Sequence, residues 1–181
     1  MASTAFPKAL ERVAVLAGSF LSGIQTLGYC NGFLLLISLP GSMVNISILS
    51  IPVAFETATG PSHLLYQWTR MFYYGHRLHP TIAFLTSTLY GYCAWRRSAT
   101  SRSWTALAWA GLVTMSISPF TWLFLLPTNS AITDLASRGH QGASVIGMDN
   151  ARRLVVRWTW LHLVRSLFPL LGGVIAMNEA L

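Results

Sequence analysis

The sequence predicts an all-α, integral membrane four-helix bundle with a kinked first segment. Three observations predict it. Hydrophobic residues make up 53% of the 181 residues and charged residues only 9%, against about 25% charged in an average soluble domain; mean hydropathy is positive. The apolar residues gather in four blocks, each long enough to cross a bilayer. The basic residues cluster at block ends, as Arg96, Arg97 and Arg102 and as Arg152 and Arg153, where the positive-inside rule places them. One domain spanning residues 1–181 is the default at this length. The net charge of +7 is accounted for by those clusters, and no nucleic-acid-binding motif accompanies it. The expected partners are therefore the lipid bilayer and a small molecule, with no nucleic acid.

The first block, Val13 to Phe55, holds 43 residues, about 65 Å if wholly helical. That exceeds the roughly 30 Å hydrocarbon core, so Pro40-Gly41 is expected to kink it. Lys8 and Arg12 precede it. Its apolar run outlasts a signal-peptide core, which reads as a retained anchor. The second block, Leu64–Trp95, contains Pro80; the third, Trp104–Leu126, contains Pro119; the fourth runs Leu154–Met177. The polar stretch Thr128–Arg153, rich in Gly and Ser, is expected as a lumenal loop. If the first block crosses once, Lys8, Arg12 and the 96–102 cluster share one side, which puts both termini in the cytoplasm. The endoplasmic reticulum is the expected membrane on general grounds. Cys30 and Cys93 lack metal-ligand spacing and read as buried small hydrophobes. The Asn45-Ile46-Ser47 sequon lies in an apolar run and is expected to be unused.

The fourth block raises the functional question, because "RWTWLHLVRSLFPLLGG" carries Arg157, His162 and Arg165. At 100° per residue, Trp158, His162, Arg165 and Pro169 form one stripe. A charge at mid-bilayer costs at least about 2.5–3.5 kcal/mol, so the stripe must face the bundle interior. It serves either as a tie between helices or as the wall of a substrate cavity. In the second block, "QWTRMFYYGHRLHP" sets His76 and His79 three apart, with Arg70 and Arg77 on another face. Two such histidines suit a metal or an axial haem site, but only five acidic residues occur in the whole chain, and an aromatic-lined cavity wall fits better. In the third block, "SISPFTWLFLLPTN", Ser116, Ser118 and Thr121 can satisfy the backbone groups that Pro119 frees. Asn129 either caps the helix or reaches the cavity mouth. No Gly-x-Ser-x-Gly elbow, Walker loop, dinucleotide fingerprint or Cys-x-x-Cys occurs. Any catalysis falls to His, Arg, Tyr, Trp and Asn.

"SIPVAFET", "QWTRMFYYGHRLHPTIAFLTSTLYGYCAW", "SPFTWLFLLPTN" and "RWTWLHLVRSLFPLLGG", in this order and at this chain length, resemble the small membrane anthrone oxygenases of fungal polyketide pathways. The resemblance covers most of the chain from about Ser50 onward. It implies a four-helix membrane bundle that oxidises an anthrone to an anthraquinone with molecular oxygen and no cofactor or metal. An anthrone methylene is acidic, and its anion can pass an electron to O₂ directly. The protein must then supply a base, a partner for the phenolate oxygen and a flat apolar slot. On this reading His162 is the base, since imidazole titrates near neutrality, with His76 or His79 as substitutes. Arg165, with Asn129, stabilises the enolate. Trp158, Tyr74 and Trp122 line the slot by stacking, and Arg157 joins the substrate-binding group. Three rival readings stand beside this one: a haem or quinone membrane redox protein, a non-enzymatic scaffold, and a cyclase, isomerase or dehydratase that uses no O₂.

Overall fold

The computed structural model describes residues 33–99 and 103–180, and all its elements there are helical. They form four rods. The first joins α1 (Phe33–Asn45), a wide π turn (Ile46–Ser50) and α2 (Ile51–Thr57). The second is the single helix α3 (Pro61–Ser98), 38 residues and about 57 Å long. The third joins α4 (Thr105–Met115), α5 (Ile117–Phe120), a second π turn (Thr121–Leu125) and α6 (Leu126–Ser137). The fourth is α7 (Gly139–Ala180), interrupted at Gly147, whose φ of 71° is open to glycine without strain. Three stretches are long and apolar enough to cross a membrane: Leu39–Thr57, Thr105–Ser137 and Ile146–Asn178.

Proline and glycine punctuate the rods as their chemistry requires. Pro61 opens α3 behind Gly60, a position where the missing N–H costs nothing. Pro80 sits inside α3 on an exposed face, and the Thr81 hydroxyl donates to the Arg77 carbonyl at 2.8 Å. Around Pro119, the Ser116 hydroxyl donates to the Leu112 carbonyl at 3.0 Å and the Thr121 hydroxyl to the Ile117 carbonyl at 2.7 Å; neither bond goes to the Met115 carbonyl, the one that Pro119 leaves without its helical N–H.

The two π turns share a cause. Each is followed, two residues after it ends, by a proline: Pro52 and Pro127. A proline neither donates to the carbonyl four residues back nor leaves room for it. Widening the preceding turn relieves that clash. The Ile51 N–H accordingly reaches the Ile46 carbonyl, and Leu126 N–H the Thr121 carbonyl.

Three expectations change. The helix runs unbroken through Pro40-Gly41, where Leu39, Pro40, Gly41 and Met43 are buried and the Ser42 hydroxyl donates to the Leu39 carbonyl; the irregularity comes at 46–50 instead. The stretch 128–153 is helical rather than a loop. Thr128, Asn129, Ile132 and Ala136 recur at helical spacing on a buried or half-buried face, Ala151 is buried on the helix that follows, and Thr133, Asp134 and Asn150 are exposed on the other side. Cys93 is exposed rather than buried. Asn45 of the sequon is exposed and Ser47 is buried. Cys30, Lys8, Arg12 and the first block up to residue 32 lie outside the described residues.

Apolar side chains form three clusters along the rods. One gathers Ile51, Ala54, Leu64, Leu65, Trp68, Leu125, Ile132, Ala151, Val155 and Trp158. A second holds Leu39, Met43, Ala83 and Ile117. The third joins Tyr90, Ala94, Leu107, Ala110 and Ala176. Small residues let α4 and α7 approach closely, as in membrane helix pairs. A methyl on Gly172 would lie 2.2 Å from the Thr114 hydroxyl and 2.8 Å from the Ala110 carbonyl. Gly172→Ala is therefore expected to destabilise by about 1–3 kcal/mol through overpacking, read as a lower thermal midpoint in detergent. Pairing it with Thr114→Ala should restore only part of the loss, since the Ala110 carbonyl is backbone and stays in place.

Candidate active site

Between the first two apolar clusters lies a polar layer to which every rod contributes. On the first rod Ser47 falls between Met43 and Ile51; on α3, His79 falls between Trp68 and Ala83. On the third rod Thr121 falls between Ile117 and Leu125; on α7, His162 and Arg165 follow Trp158. Ser47, His79, His162 and Arg165 are all buried, His162 to 1% and Arg165 to 7% exposure. Two of the five contributors, Ser47 and Thr121, stand on the π turns. Such widened turns recur at functional sites because they re-aim side chains.

The contacts define a geometry. Ser47 Oγ lies 3.1 Å from His162 Nδ1. When Nδ1 carries the ring proton it donates to Ser47, and Nε2 keeps its lone pair for proton transfer. The His79 and His162 rings stand 5.8 Å apart, tilted by 57°. Trp158 stacks on His162 at 4.5 Å, and its indole N–H donates to Asn129 Oδ1 at 2.8 Å. Trp68 meets Trp158 edge-on at 5.4 Å and stacks on Phe72 at 4.9 Å. The imidazole of His162 is thus pinned on one side by an aromatic wall and at Nδ1 by a hydroxyl.

Arg165 is the anomalous member. Its Nη1 donates to Thr121 Oγ1 at 3.2 Å, while its buried Nε has no protein partner. The ion pair among the described residues is Arg138–Asp134, on the surface; Arg165 has no carboxylate there. His79 Nδ1 is likewise buried without a partner. An uncompensated guanidinium in an apolar bundle is expensive, and unsatisfied donors beside it point to an anion or a polar atom that completes the set. No group of three His, Cys, Asp or Glu side chains comes together among the described residues.

Of the expected site residues, His162, Arg165, Trp158, Asn129 and His79 converge, and Pro169 shares the buried stripe. His76 does not join them. It is exposed, bonded through Nδ1 to the Phe72 carbonyl at 2.9 Å. Tyr74 and Trp122 are exposed at 61% and 78% and Arg157 is also exposed, so none of these three lines the buried layer. For Tyr74 and Trp122 the reason is shared: the outside of these rods is itself largely apolar, and aromatic side chains are as much at home there as inside. Sequence reasoning missed Ser47, Trp68 and the contact between Thr121 and Arg165. The signal for Ser47 and Thr121 was a lone hydroxyl five or six residues before a proline. A cleft of about 210 Å³ lies elsewhere, between α3 and α6, lined by Leu65, Tyr66, Thr69 and Thr133 among others.

Residues 68–175 match the family model of anthrone oxygenase. Among curated proteins, the chain is 40% identical over 167 residues to anthrone oxygenase AgnL2 of Paecilomyces divaricatus, covering 91% of each chain. It is 40% identical over 167 residues to a noranthrone monooxygenase of Aspergillus flavus, covering 92% of this chain and 71% of that one. It is 38% identical over 171 residues to anthrone oxygenase tpcL of Aspergillus fumigatus, covering 94% and 92%. No solved structure matches.

Proposed function

Since the chain belongs to the anthrone oxygenase family, we propose that it is a membrane-embedded oxygenase that converts an anthrone-type aromatic polyketide to the anthraquinone with O₂, using its own side chains and the substrate's electrons. The observation that carries the mechanism is the buried Arg165, with no carboxylate partner among the described residues, in one layer with His162 and His79. Three rods apolar enough to cross a membrane support its setting, with α3 as the fourth member of the bundle.

His162 Nε2 takes one proton from the methylene opposite the carbonyl, and Arg165 holds the oxygen on which the negative charge collects. The resulting electron-rich anion passes one electron to O₂. The substrate radical and superoxide then join through a new C–O bond, and the peroxide oxygen takes back the proton from His162. The base next removes the remaining proton at that carbon. Its electron pair forms the C=O bond as the O–O bond breaks, and the departing hydroxide takes that proton from His162 and leaves as water. One O₂ is consumed, one quinone and one water form, and the imidazole ends as it began. Asn129 holds Trp158 against His162 through the 2.8 Å bond, keeping the ring plane fixed.

Purified protein in detergent or liposomes, given emodin anthrone and a chelator, should consume about one O₂ per anthrone lost, the stoichiometry of the steps above, much faster than the buffer control. Turnover under argon to a cyclised or dehydrated product would replace this reading with a non-oxidative one. A Soret band in the purified protein, with activity that tracks it, would replace it with haem chemistry.

A further inference from the structure

The exposed surface of α3 changes character at Arg77. Before it, Arg70, Tyr73, Tyr74 and Arg77 form a stripe at helical spacing, all exposed. Arg70 Nη2 donates to Tyr74 OH at 3.0 Å and Arg77 Nη1 to Tyr73 OH at 3.2 Å. The Arg77 guanidinium also lies 4.6 Å from the centre of the Tyr73 ring. After it, no residue from Leu78 to Trp95 is charged, and large apolar side chains such as Leu78, Phe84, Leu85 and Leu89 are exposed. Charge returns at Arg96 and Arg97. The uncharged stretch of 18 residues is about 27 Å long. On α7 the exposed Arg157 is followed by 21 residues up to Asn178 in which the one charged side chain, Arg165, is buried; that is about 31 Å. The two rods give similar thicknesses that bracket a hydrocarbon core of about 30 Å. Exposed aromatic residues mark both limits, with Tyr73, Tyr74 and Trp160 near one and Tyr92, Trp95 and Trp104 near the other, as interfacial belts do.

We propose that the bilayer core runs from Arg77 to Arg96 along α3 and from Arg157 to Asn178 along α7, and that the Arg70–Tyr73–Tyr74–Arg77 stripe binds lipid phosphate at its upper boundary. The proposal rests on the membrane reading above and goes beyond it by fixing depth and partner. The arginine forks suit a phosphate oxygen, and each is held by a tyrosine hydroxyl four residues away. Beyond the boundary α6, the first turns of α7 and residues 61–76 of α3 form a cap outside the hydrocarbon. His79 then lies about 3 Å below the boundary along its helix, and His162 about 7 to 8 Å. A flat phenolic substrate lying among the headgroups reaches both without crossing the core.

The test uses full-length protein in phosphatidylcholine liposomes with one-fifth phosphatidic acid. Spin labels on single cysteines at 66, 78, 85 and 89, in a Cys30→Ser/Cys93→Ser background, report depth from collisions with oxygen or a water-soluble nickel chelate. Labels at 78, 85 and 89 should meet oxygen, and the label at 66 the chelate. A label at 66 as lipid-exposed as that at 85 would overturn the placement. Chelate access at 85 and 89 would instead overturn the membrane reading itself. For the partner, Arg70→Gln/Arg77→Gln should cut co-purified phosphatidic acid relative to phosphatidylcholine by about tenfold or more. An unchanged ratio would mean that the stripe serves something other than lipid phosphate.

Discussion

His162→Gln should lower the rate of anthrone oxidation by about 10²–10⁴-fold, the usual worth of a positioned base, with little change in substrate affinity. Glutamine keeps roughly the reach of the imidazole and can still meet Ser47, so the layer should stay packed. What it lacks is a ring nitrogen with a lone pair that can take up the proton. Anthrones oxidise slowly in air, so the variant's rate must be set against the protein-free control. His79→Gln separates the two histidines. His79 shares the layer but has no hydroxyl to orient it, its Nδ1 being without a partner. A smaller loss is expected there. Full activity in His162→Gln together with inactivity in His79→Gln would move the base to α3.

Arg165→Met should act on activity and stability in opposite directions. Removing a donor aimed at developing negative charge costs about 10²–10³-fold. The same change removes a buried guanidinium that has no carboxylate partner among the described residues, and apolar replacements of such groups are often neutral or stabilising. Thr121 loses a donor but keeps its own bond to the Ile117 carbonyl. The variant should therefore be nearly inactive with a thermal midpoint equal to or above the wild type's. A purely structural arginine predicts the reverse pattern, a lower midpoint with activity retained by the folded fraction. The two measurements together decide between them.

The inward stripe of α7 was readable because polar groups stand out on an apolar helix: Trp158, His162, Arg165 and Pro169 share a face by angle alone, and all four are buried. The choice between His76 and His79 was harder, since either could face inward. The rotation of α3 is set by its whole contact face, and Leu64, Leu65, Trp68, His79, Ala83, Thr86, Tyr90 and Ala94 are the buried positions. The small residues among them were the available clue, because close helix approach selects them. Tyr74 and Trp122 misled because an aromatic side chain suits the apolar outside of a rod as readily as a pocket. The stretch 128–153 misled because polarity was equated with irregular backbone, whereas a helix that packs on one side carries polar residues on the other. The contributions of Ser47 and Thr121 depend on turns that no hydrophobic period announces.

Those two turns also settle a problem of phase. Met43, Ser47 and Ile51 are spaced by four, as are Ile117, Thr121 and Leu125. In an ordinary α-helix each step of four overshoots a full revolution by about 40°, so eight residues would carry the last side chain about 80° from the first. A turn that takes more residues to close absorbs that excess. It lets an apolar anchor, a polar group and a second apolar anchor look in one direction from a single rod. Shortening either turn by one residue would swing the anchors on its two sides out of line with each other. The polar layer then loses its roof or its floor while every residue that forms it is still present.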